Sequence, residues 1–374
     1  MDVIKKLVSG FTKLKKDDEE KISLLSEYLN QKQLKDVRSN LKRKAIKVAV
    51  FDVSFFGKVP RLVPNLADYN EIIKKKIFEK FSGIAKKIIP SFIAPELVGS
   101  EDAKKAAALQ IFSKENFHVL LIGDPGTGKT KILSDTAAFC PLSSFGLGSG
   151  TSNVGLSVSV YGDKISEGLL PMANNGLCAL DELNLMKKGD YASLYNAMEK
   201  GFVTYDKGGK HLKFDANVRI LATANPKKDR FAGKNISQLK KELPFDSALL
   251  TRFHVIFFFR KPNLEKFVRI TKKILESKKE VSERDREFIK AYAKYSLNEI
   301  NDVKFDNSFE KMIVDFVGMI KKNEMRYLIE VSPRIVIGLK KMAMASARMC
   351  LRKNVNEEDI ETAINILKSS LESF

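Results

Sequence analysis

The stretch Gly123-Asp124-Pro125-Gly126-Thr127-Gly128-Lys129-Thr130 decides the fold of this 374-residue chain. It fits the pattern G-x-x-x-x-G-K-[S/T], in which glycines let backbone N–H groups curl around phosphates. An apolar run over 117–122 precedes it and a helical pattern over 131–139 follows, so the positive end of a helix faces the same loop. The motif predicts an ATP site in which Lys129 contacts the β- and γ-phosphates and the Thr130 hydroxyl holds Mg²⁺.

Polar residues that follow two further apolar runs complete the predicted site. Asp181 and Glu182 end the run over 177–180; Asp181 is predicted to support the Mg²⁺ shell, and Glu182 to orient and deprotonate the attacking water. Without the phosphate loop, the same pair is a weak signal that is also compatible with a helix N-cap and an acidic first turn. The run over 218–224 ends at Asn225, a candidate to hydrogen-bond the water or the γ-phosphate. The alternative is an Asn-Pro turn that merely ends a strand.

Two arginines are candidates for an arginine finger. Arg252 lies directly before the last apolar run, and Arg334 follows Ser332-Pro333 at a predicted helix start. A planar guanidinium at such a place can supply positive charge to the transition state of a neighbouring site. Ordinary solvation at the surface is the alternative for Arg334.

The apolar runs predict an α/β fold with a buried parallel sheet. They cover 117–122, 177–180, 218–224 and 255–259, and glycine turns and helical patterns separate them. Near-continuous apolar strands that alternate with helices are typical of a sheet covered on both faces. From 262 onward the pattern is helical.

These patterns divide the chain into four parts. A strand or hairpin is predicted over 46–56, and a helix over 69–89 leads into the main domain. The predicted parts are a short basic N-terminal extension (1–60), a linker (61–95), an ATPase core (96–260) and a helical lid (261–374).

Composition excludes some classes of function and leaves others open. The net charge is +19, and about half of the excess lies in residues 1–95. A positive field favours polyanions such as nucleic acid, although a lysine-rich composition by itself gives the same number. No apolar run is long enough to span a membrane and the N-terminus has no secretory signal pattern, so we expect a cytoplasmic protein without a membrane partner.

The cysteines and histidines do not predict a zinc site. They are scattered along the chain without a Cys-x-x-Cys pair, so neither zinc nor a disulfide framework is expected. The six residues are Cys140, Cys178, Cys350, His118, His211 and His254.

The motifs, in this order, resemble the AAA+ superfamily, and the residues between them resemble the helix-2-insert clade and, within it, the minichromosome maintenance (MCM) family. The resemblance covers residues 90–374 and includes Ala197-Met198-Glu199-Lys200-Gly201, which follows the acidic pair as it does in MCM proteins. The other matching segments are 94–105, 150–157, 202–226, 288–293, 332–334 and 355–360.

The resemblance implies an AAA+ P-loop NTPase core with a five-stranded parallel sheet, a helix-2 insert and a pre-sensor hairpin, plus an all-α C-terminal lid. It also implies an ATP-hydrolysing DNA helicase or translocase that works as a hexameric ring, with ATP bound between subunits. In such a ring one subunit supplies one set of residues to each site and its neighbour supplies two arginines. The first set is Lys129, Thr130, Asp181, Glu182 and Asn225, and the arginines are Arg252 and Arg334.

The same match places Lys207 on the hairpin that the family points into its central channel, with Lys210 close by. A mobile cationic hairpin suits a grip on DNA that ignores sequence, because phosphate contacts carry no base information. We therefore expect a DNA strand, single-stranded in the pore, as the partner. A solvated Asp-Lys-Gly-Gly-Lys turn is the alternative interpretation.

Several departures from the family indicate a divergent member, of archaeal or mobile-element type. The phosphate loop ends in Gly128-Lys129-Thr130 where the family typically has Ala-Lys-Ser, and Leu183 and His254 replace the Phe and Asp that are common there. Residues 1–95 are too few for the family's full N-terminal domain, so a truncated N-terminal domain is expected.

Two alternative functions remain open at the level of sequence. A MoxR-like ATPase that remodels proteins shares the helix-2 insert, but the basic residues Lys207, Lys210 and Lys213 in the hairpin argue against it. A nucleotide-binding subunit that does not hydrolyse ATP would usually lack the lysine, the acidic pair or the finger, and all are present here.

Overall fold

The computed structural model describes residues 71–161, 164–207, 210–262 and 281–373, together with 264, 267, 268 and 270–272 between the last two ranges. The predicted basic extension over 1–60 and the strand or hairpin over 46–56 lie outside the described residues.

Nine strands form one central sheet and two hairpins in the described part of the chain. The central sheet has the order β2-β5-β8-β1-β9 and all its pairs are parallel, which confirms the predicted five-stranded parallel sheet. The strands are β1 (Val119–Gly123), β2 (Ser143–Leu147), β3 (Val158–Tyr161), β4 (Lys164–Glu167), β5 (Leu177–Asp181), β6 (Phe202–Lys207), β7 (Lys210–Asp215), β8 (Arg219–Ala224) and β9 (Val255–Phe259).

The fifth strand, β2, is absent from the four predicted apolar runs. It lies at an edge of the sheet, and its side chains alternate between exposed and buried. The four other strands are buried at every position, because helices or hairpins cover both faces. The two buried positions of β2 are Ser144 and Gly146, so this strand gives no continuous apolar run in the sequence. The strand at the other edge, β9, is buried throughout and does give one.

The helices follow the strands in alternation and then dominate the C-terminal part. They are α1 (Glu71–Phe92), α2 (Glu101–Phe112), α3 (Lys129–Phe139), α4 (Asn153–Leu156), α5 (Leu169–Met172), α6 (Ala192–Lys200), α7 (Ile236–Glu242), α8 (Ser247–Leu250), α9 (Glu283–Glu299), α10 (Glu310–Lys322), α11 (Arg334–Met349) and α12 (Glu357–Leu371). Helices account for the regular structure over 281–373, apart from one isolated bridge, as expected for an all-α lid.

The two faces of the central sheet carry two separate hydrophobic cores. Along β1, Val119 and Leu121 face one core, while Leu120 and Ile122 face the other, because successive side chains of a strand point to opposite faces. The first core contains residues of α1, α2 and α3 and of the four C-terminal helices. The second contains residues of α6, of β6 and of the segment between β2 and β5.

Helix α1 belongs to the hydrophobic core, although sequence analysis placed this segment in a linker. Phe81 is fully buried and packs edge-on against Phe288 and Tyr292 of α9, with ring centroids 5.0 and 4.8 Å apart. Lys86 of the same helix pairs with buried Asp359 at 3.0 Å. The apolar face of α1 needs a partner, and the C-terminal helices supply it.

Candidate functional site

The carboxyl ends of three neighbouring strands bring the predicted site together. In the ladder β1 pairs with β8, with Ile122 opposite Ala224, and β8 pairs with β5, with Leu180 opposite Ala222. Parallel strands end at the same edge of a sheet, so the phosphate loop, the acidic pair and Asn225 lie side by side. The sheet topology therefore assembles side chains that lie up to about a hundred positions apart in the sequence.

Glycine is required at two kinds of position in the phosphate loop. Gly126 and Gly128 have positive φ, 76° and 86°, a conformation that side chains with a Cβ rarely adopt. At Gly123 the backbone is extended, but an added Cβ would overlap the carbonyl oxygen of Phe259 on β9. The loop is thus free of side chains where it turns and where it leaves the sheet, as a phosphate cradle requires.

Lys129 opens α3 with its ammonium directed into the loop. Its Nζ donates to the carbonyl oxygens of Gly123 at 2.7 Å and Asp124 at 2.8 Å. Only 6% of the residue is exposed, and this burial lowers its pKa to about 8, against the raising effect of nearby carboxylates. A buried cation held by neutral carbonyl oxygens is suited to an anionic ligand, whose charge would offset the desolvation.

The acidic pair is connected to the phosphate loop and to β8. The Thr130 hydroxyl donates to Asp181 Oδ1 at 3.2 Å, so the two predicted Mg²⁺ ligands already lie together. Thr223 donates from its Oγ1 to the same carboxylate oxygen and accepts the backbone N–H of Glu182 at 3.0 Å. Glu182 has a φ of 52°, so the chain bends sharply where the predicted general base stands.

Thr223 and Asn184 are site residues that sequence analysis missed. Thr223 lies on β8, two positions before Asn225, which follows the strand; a polar residue within an otherwise apolar run was the available signal. The Asn184 side chain accepts the backbone N–H of Asn225 at 2.9 Å and fixes the end of β8. Asn184 follows the acidic pair in a short 3₁₀ turn, and no pattern in the sequence marked it.

Asp124, predicted to bind the cofactor, has its carboxylate engaged elsewhere. Oδ1 accepts the backbone N–H of Phe231 at 2.9 Å, and Oδ2 accepts that of Lys261 at 2.9 Å. The side chain is buried and joins the phosphate loop to the loop after β8 and to the chain leaving β9. Its backbone remains part of the phosphate loop, with Pro125 and Thr127, whose hydroxyl donates to the Asp124 carbonyl at 2.7 Å.

The two candidate arginines lie together at the amino ends of the strands, opposite the phosphate loop. Arg252 precedes β9, whose last residue, Phe259, stands beside Gly123; a five-residue strand at about 3.3 Å per residue separates the two ends by about 13 Å. Glu199 contacts both arginines, at 3.0 Å from Arg252 and 3.6 Å from Arg334. The arginines therefore form a pair that is remote from the phosphate loop of their own chain.

The predicted DNA-binding hairpin is present as β6 and β7. Its antiparallel ladder runs from Phe202 opposite Asp215 to Lys207 opposite Lys210, so both candidate lysines are backbone partners at the end of the ladder. Nearer the base, Lys213 Nζ lies 4.2 Å from the centre of the Phe202 ring. A second hairpin, β3 and β4, is inserted between β2 and β5, at the position expected for the helix-2 insert.

The described residues contain neither a candidate membrane span nor a candidate metal cluster. No helix among them is both long and apolar enough to cross a membrane. In the same part of the chain, no three His, Cys, Asp or Glu residues are grouped so that they could hold a metal ion.

The sheet order and the placement of the phosphate loop, the acidic pair and Asn225 define a P-loop NTPase core of the AAA+ type. Comparison with family models agrees. The MCM P-loop domain matches residues 72–278 and the MCM AAA-lid domain matches residues 287–371. The chain belongs to the MCM family.

Individual relatives cover most of this chain. It is 28% identical over 355 residues to the Minichromosome maintenance protein MCM of Saccharolobus solfataricus, which covers 87% of this chain and 51% of that protein. It is 29% identical over 307 residues to DNA replication licensing factor MCM4 of Drosophila melanogaster, covering 75% and 35%. With DNA replication licensing factor mcm7-B of Xenopus laevis it shares 26% over 333 residues, covering 82% and 45%. The chain thus spans about half or less of the length of these relatives.

Proposed function

We propose that this protein is an ATP-driven DNA helicase or translocase that works as a hexameric ring. The observation that carries the proposal is that the residues for ATP hydrolysis lie at two opposite ends of the strands of one sheet. The phosphate loop and acidic pair lie at the carboxyl ends, and the arginine pair lies at the amino ends. The two halves complete each other only when the arginine end of one copy meets the phosphate end of the next. This contact is heterologous, and such contacts form a ring when their rotation closes.

Each residue then has a defined task in hydrolysis. Lys129 binds the β- and γ-phosphates, while Thr130 and Asp181 would hold Mg²⁺, which neutralises phosphate charge when bound. The Glu182 carboxylate orients the attacking water and accepts its proton. Asn225 donates a hydrogen bond to that water or to the γ-phosphate. Their placement around one sheet edge supports these assignments.

Arg252 and Arg334 act on the nucleotide of the neighbouring copy. Their guanidinium groups stabilise the charge that develops on the transferred phosphoryl group, a contribution worth about 10³–10⁵ in kcat for arginine fingers in general. Because they supply this charge only across an interface, hydrolysis depends on assembly and is coupled from one subunit to the next.

Lys207 and Lys210 contact the phosphate backbone of a DNA strand, single-stranded in the pore. Support comes from their position at the end of the β6–β7 ladder, from the net charge of +19 and from relatives named for DNA replication and minichromosome maintenance. Movement of these hairpins during the ATP cycle would displace the bound strand.

The test is the steady-state ATPase rate with and without single-stranded DNA, for the wild type, Lys207→Ala and Lys294→Ala. Lys294 is exposed on α9 and serves as a charge-matched control outside the hairpin. Stimulation by DNA that Lys207→Ala removes and Lys294→Ala retains is the expected result. A rate that responds neither to DNA nor to Lys207→Ala contradicts the proposal and favours an ATPase that remodels proteins.

A further inference from the structure

One carboxylate, that of Glu199, holds both candidate arginines. Its Oε2 lies 3.0 Å from Arg252 Nη2, and its Oε1 lies 3.6 Å from Arg334 Nη2. Each oxygen thus faces a different guanidinium. The two arginines are 82 positions apart in the sequence, and Glu199 is the point at which they meet.

Arg252 is fixed by two further contacts besides Glu199. Its guanidinium lies over the ring of Tyr195, 4.4 Å from the ring centre, and Nη1 donates to the Ala248 carbonyl at 2.5 Å. Tyr195 and Glu199 are four residues apart on α6, so they share one face of that helix. A single helix face therefore supplies both the stacking surface and the counter-charge for this arginine.

The main chain beneath these side chains is tied together by two buried histidines. His118 Nδ1 accepts a backbone N–H, which leaves Nε2–H to bond the Met198 carbonyl at 3.3 Å, directly before Glu199. His254, two residues after Arg252, accepts the His118 backbone N–H at its Nδ1. Burial lowers the pKa of His118 to about 3, so this histidine stays neutral and these bonds persist at physiological pH.

Stability alone does not account for the Glu199 contacts. Its side chain is 48% exposed, and exposed ion pairs typically contribute little to folding. A carboxylate between two guanidinium groups does have one definite effect: it lowers the repulsion between two positive charges that must approach the same ligand. Helix α6 also follows the acidic pair of its own ATP site by about ten residues.

We propose that Glu199 is a positioning residue that holds Arg252 and Arg334 as a pair, ready for the triphosphate bound to the next copy of the chain. This inference rests on the proposed function, because it assigns Glu199 a role only if the two arginines act across an interface. Glu199 itself touches no nucleotide and acts through the arginines.

The first experiment compares Glu199→Gln with Glu361→Gln, which removes the same charge from an exposed position on α12. Misplacing a catalytic group by about 1 Å costs up to about 100-fold in rate; because Tyr195 and Ala248 still hold Arg252, we expect kcat for ATP to fall about 10-fold in Glu199→Gln. KM for ATP should stay near that of the wild type, since the phosphate loop is untouched. An unchanged or raised kcat overturns the proposal, the latter because it would make Glu199 a restraint.

The second experiment separates a positioning role from general damage to the fold. Full-length Glu199→Gln protein is mixed with an equal amount of Lys129→Ala protein before ATP is added. In a random ring, about a quarter of the interfaces then join an intact phosphate loop to an intact arginine pair. Activity above that of either variant alone is expected, whereas a mixture no more active than the sum of its parts overturns the inference.

A parallel mixture of Arg252→Ala with Lys129→Ala tells the two proposals apart. If this mixture recovers activity and the Glu199→Gln mixture does not, the arginines act across the interface and Glu199 does not position them. If neither mixture recovers activity, the proposed division of the ATP site between subunits is itself wrong.

Discussion

Substitution of Asp124 by alanine distinguishes a structural carboxylate from a nucleotide ligand within the phosphate loop. The carboxylate accepts the backbone N–H groups of Phe231 and Lys261, each at 2.9 Å. The first of these bonds is buried and the second partly buried. Asp124→Ala leaves both donors without their acceptor and removes the side-chain link between the phosphate loop and the chain that leaves β9.

The expected loss follows from the cost of unpaired buried donors. Each such group costs about 1–3 kcal/mol, and the partly buried one falls at the low end, so the free energy of unfolding should drop by about 3 kcal/mol. For a unit of about 150–250 residues, 1 kcal/mol shifts Tm by about 2–4 °C, which gives a fall of about 6–12 °C.

The assay is thermal unfolding of the nucleotide-free protein followed by circular dichroism. Asp315→Ala, at an exposed position on α10, is the control and should leave Tm near that of the wild type. Affinity for a fluorescent ATP analogue is measured well below the unfolding temperature. A Tm equal to that of the wild type, together with a large loss of nucleotide affinity, would refute the reasoning and make the Asp124 carboxylate a direct ligand.

Three further changes have expected outcomes of their own. Gly123→Ala should lower the free energy of unfolding by about 3 kcal/mol, because the added Cβ overlaps β9; the measurement is the denaturation midpoint. Gly189→Ala, with open space around it, is the control and should leave the midpoint unchanged. Equal midpoints for the two variants would contradict this reasoning. The pKa of Lys129 is about 8 in the folded protein, against an ordinary value of 10.5. Because the unfolded state binds more protons between these two pH values, the free energy of unfolding should rise with pH across that window, by about 3 kcal/mol. Urea midpoints should show this rise in the wild type and lack it in Lys129→Met; the same rise in both proteins would rule out Lys129 as its source. Arg348→Ala removes a fully buried guanidinium that donates to Glu115 at 3.0 and 3.1 Å. The free energy of unfolding, measured by urea denaturation, should fall by about 3 kcal/mol. A midpoint like that of the wild type would show that this pair does not hold the lid to the core.

The sequence by itself determined the candidate nucleotide site and the class of fold. The sequence predicts the roles of Gly123, Lys129 and Thr130, because a phosphate loop needs its glycines, lysine and hydroxyl at fixed local spacings. It predicts those of Asp181 and Asn225 because each stands at the end of an apolar run, and parallel strands present their carboxyl ends on one side of the sheet. These are short-range requirements, which a pattern of neighbouring residues can express.

Only the tertiary structure decided which residues that are distant in the sequence contact one another. No local pattern predicts that the Asp124 carboxylate accepts the backbone N–H groups of Phe231 and Lys261, or that Glu199 joins Arg252 to Arg334. The place of α1 in the core, rather than in a linker, likewise depends on aromatic side chains about two hundred positions later. Sequence patterns encode which residues an element buries, whereas the identity of the partner is fixed only when separate elements pack and their polar groups compete for the nearest donor or acceptor.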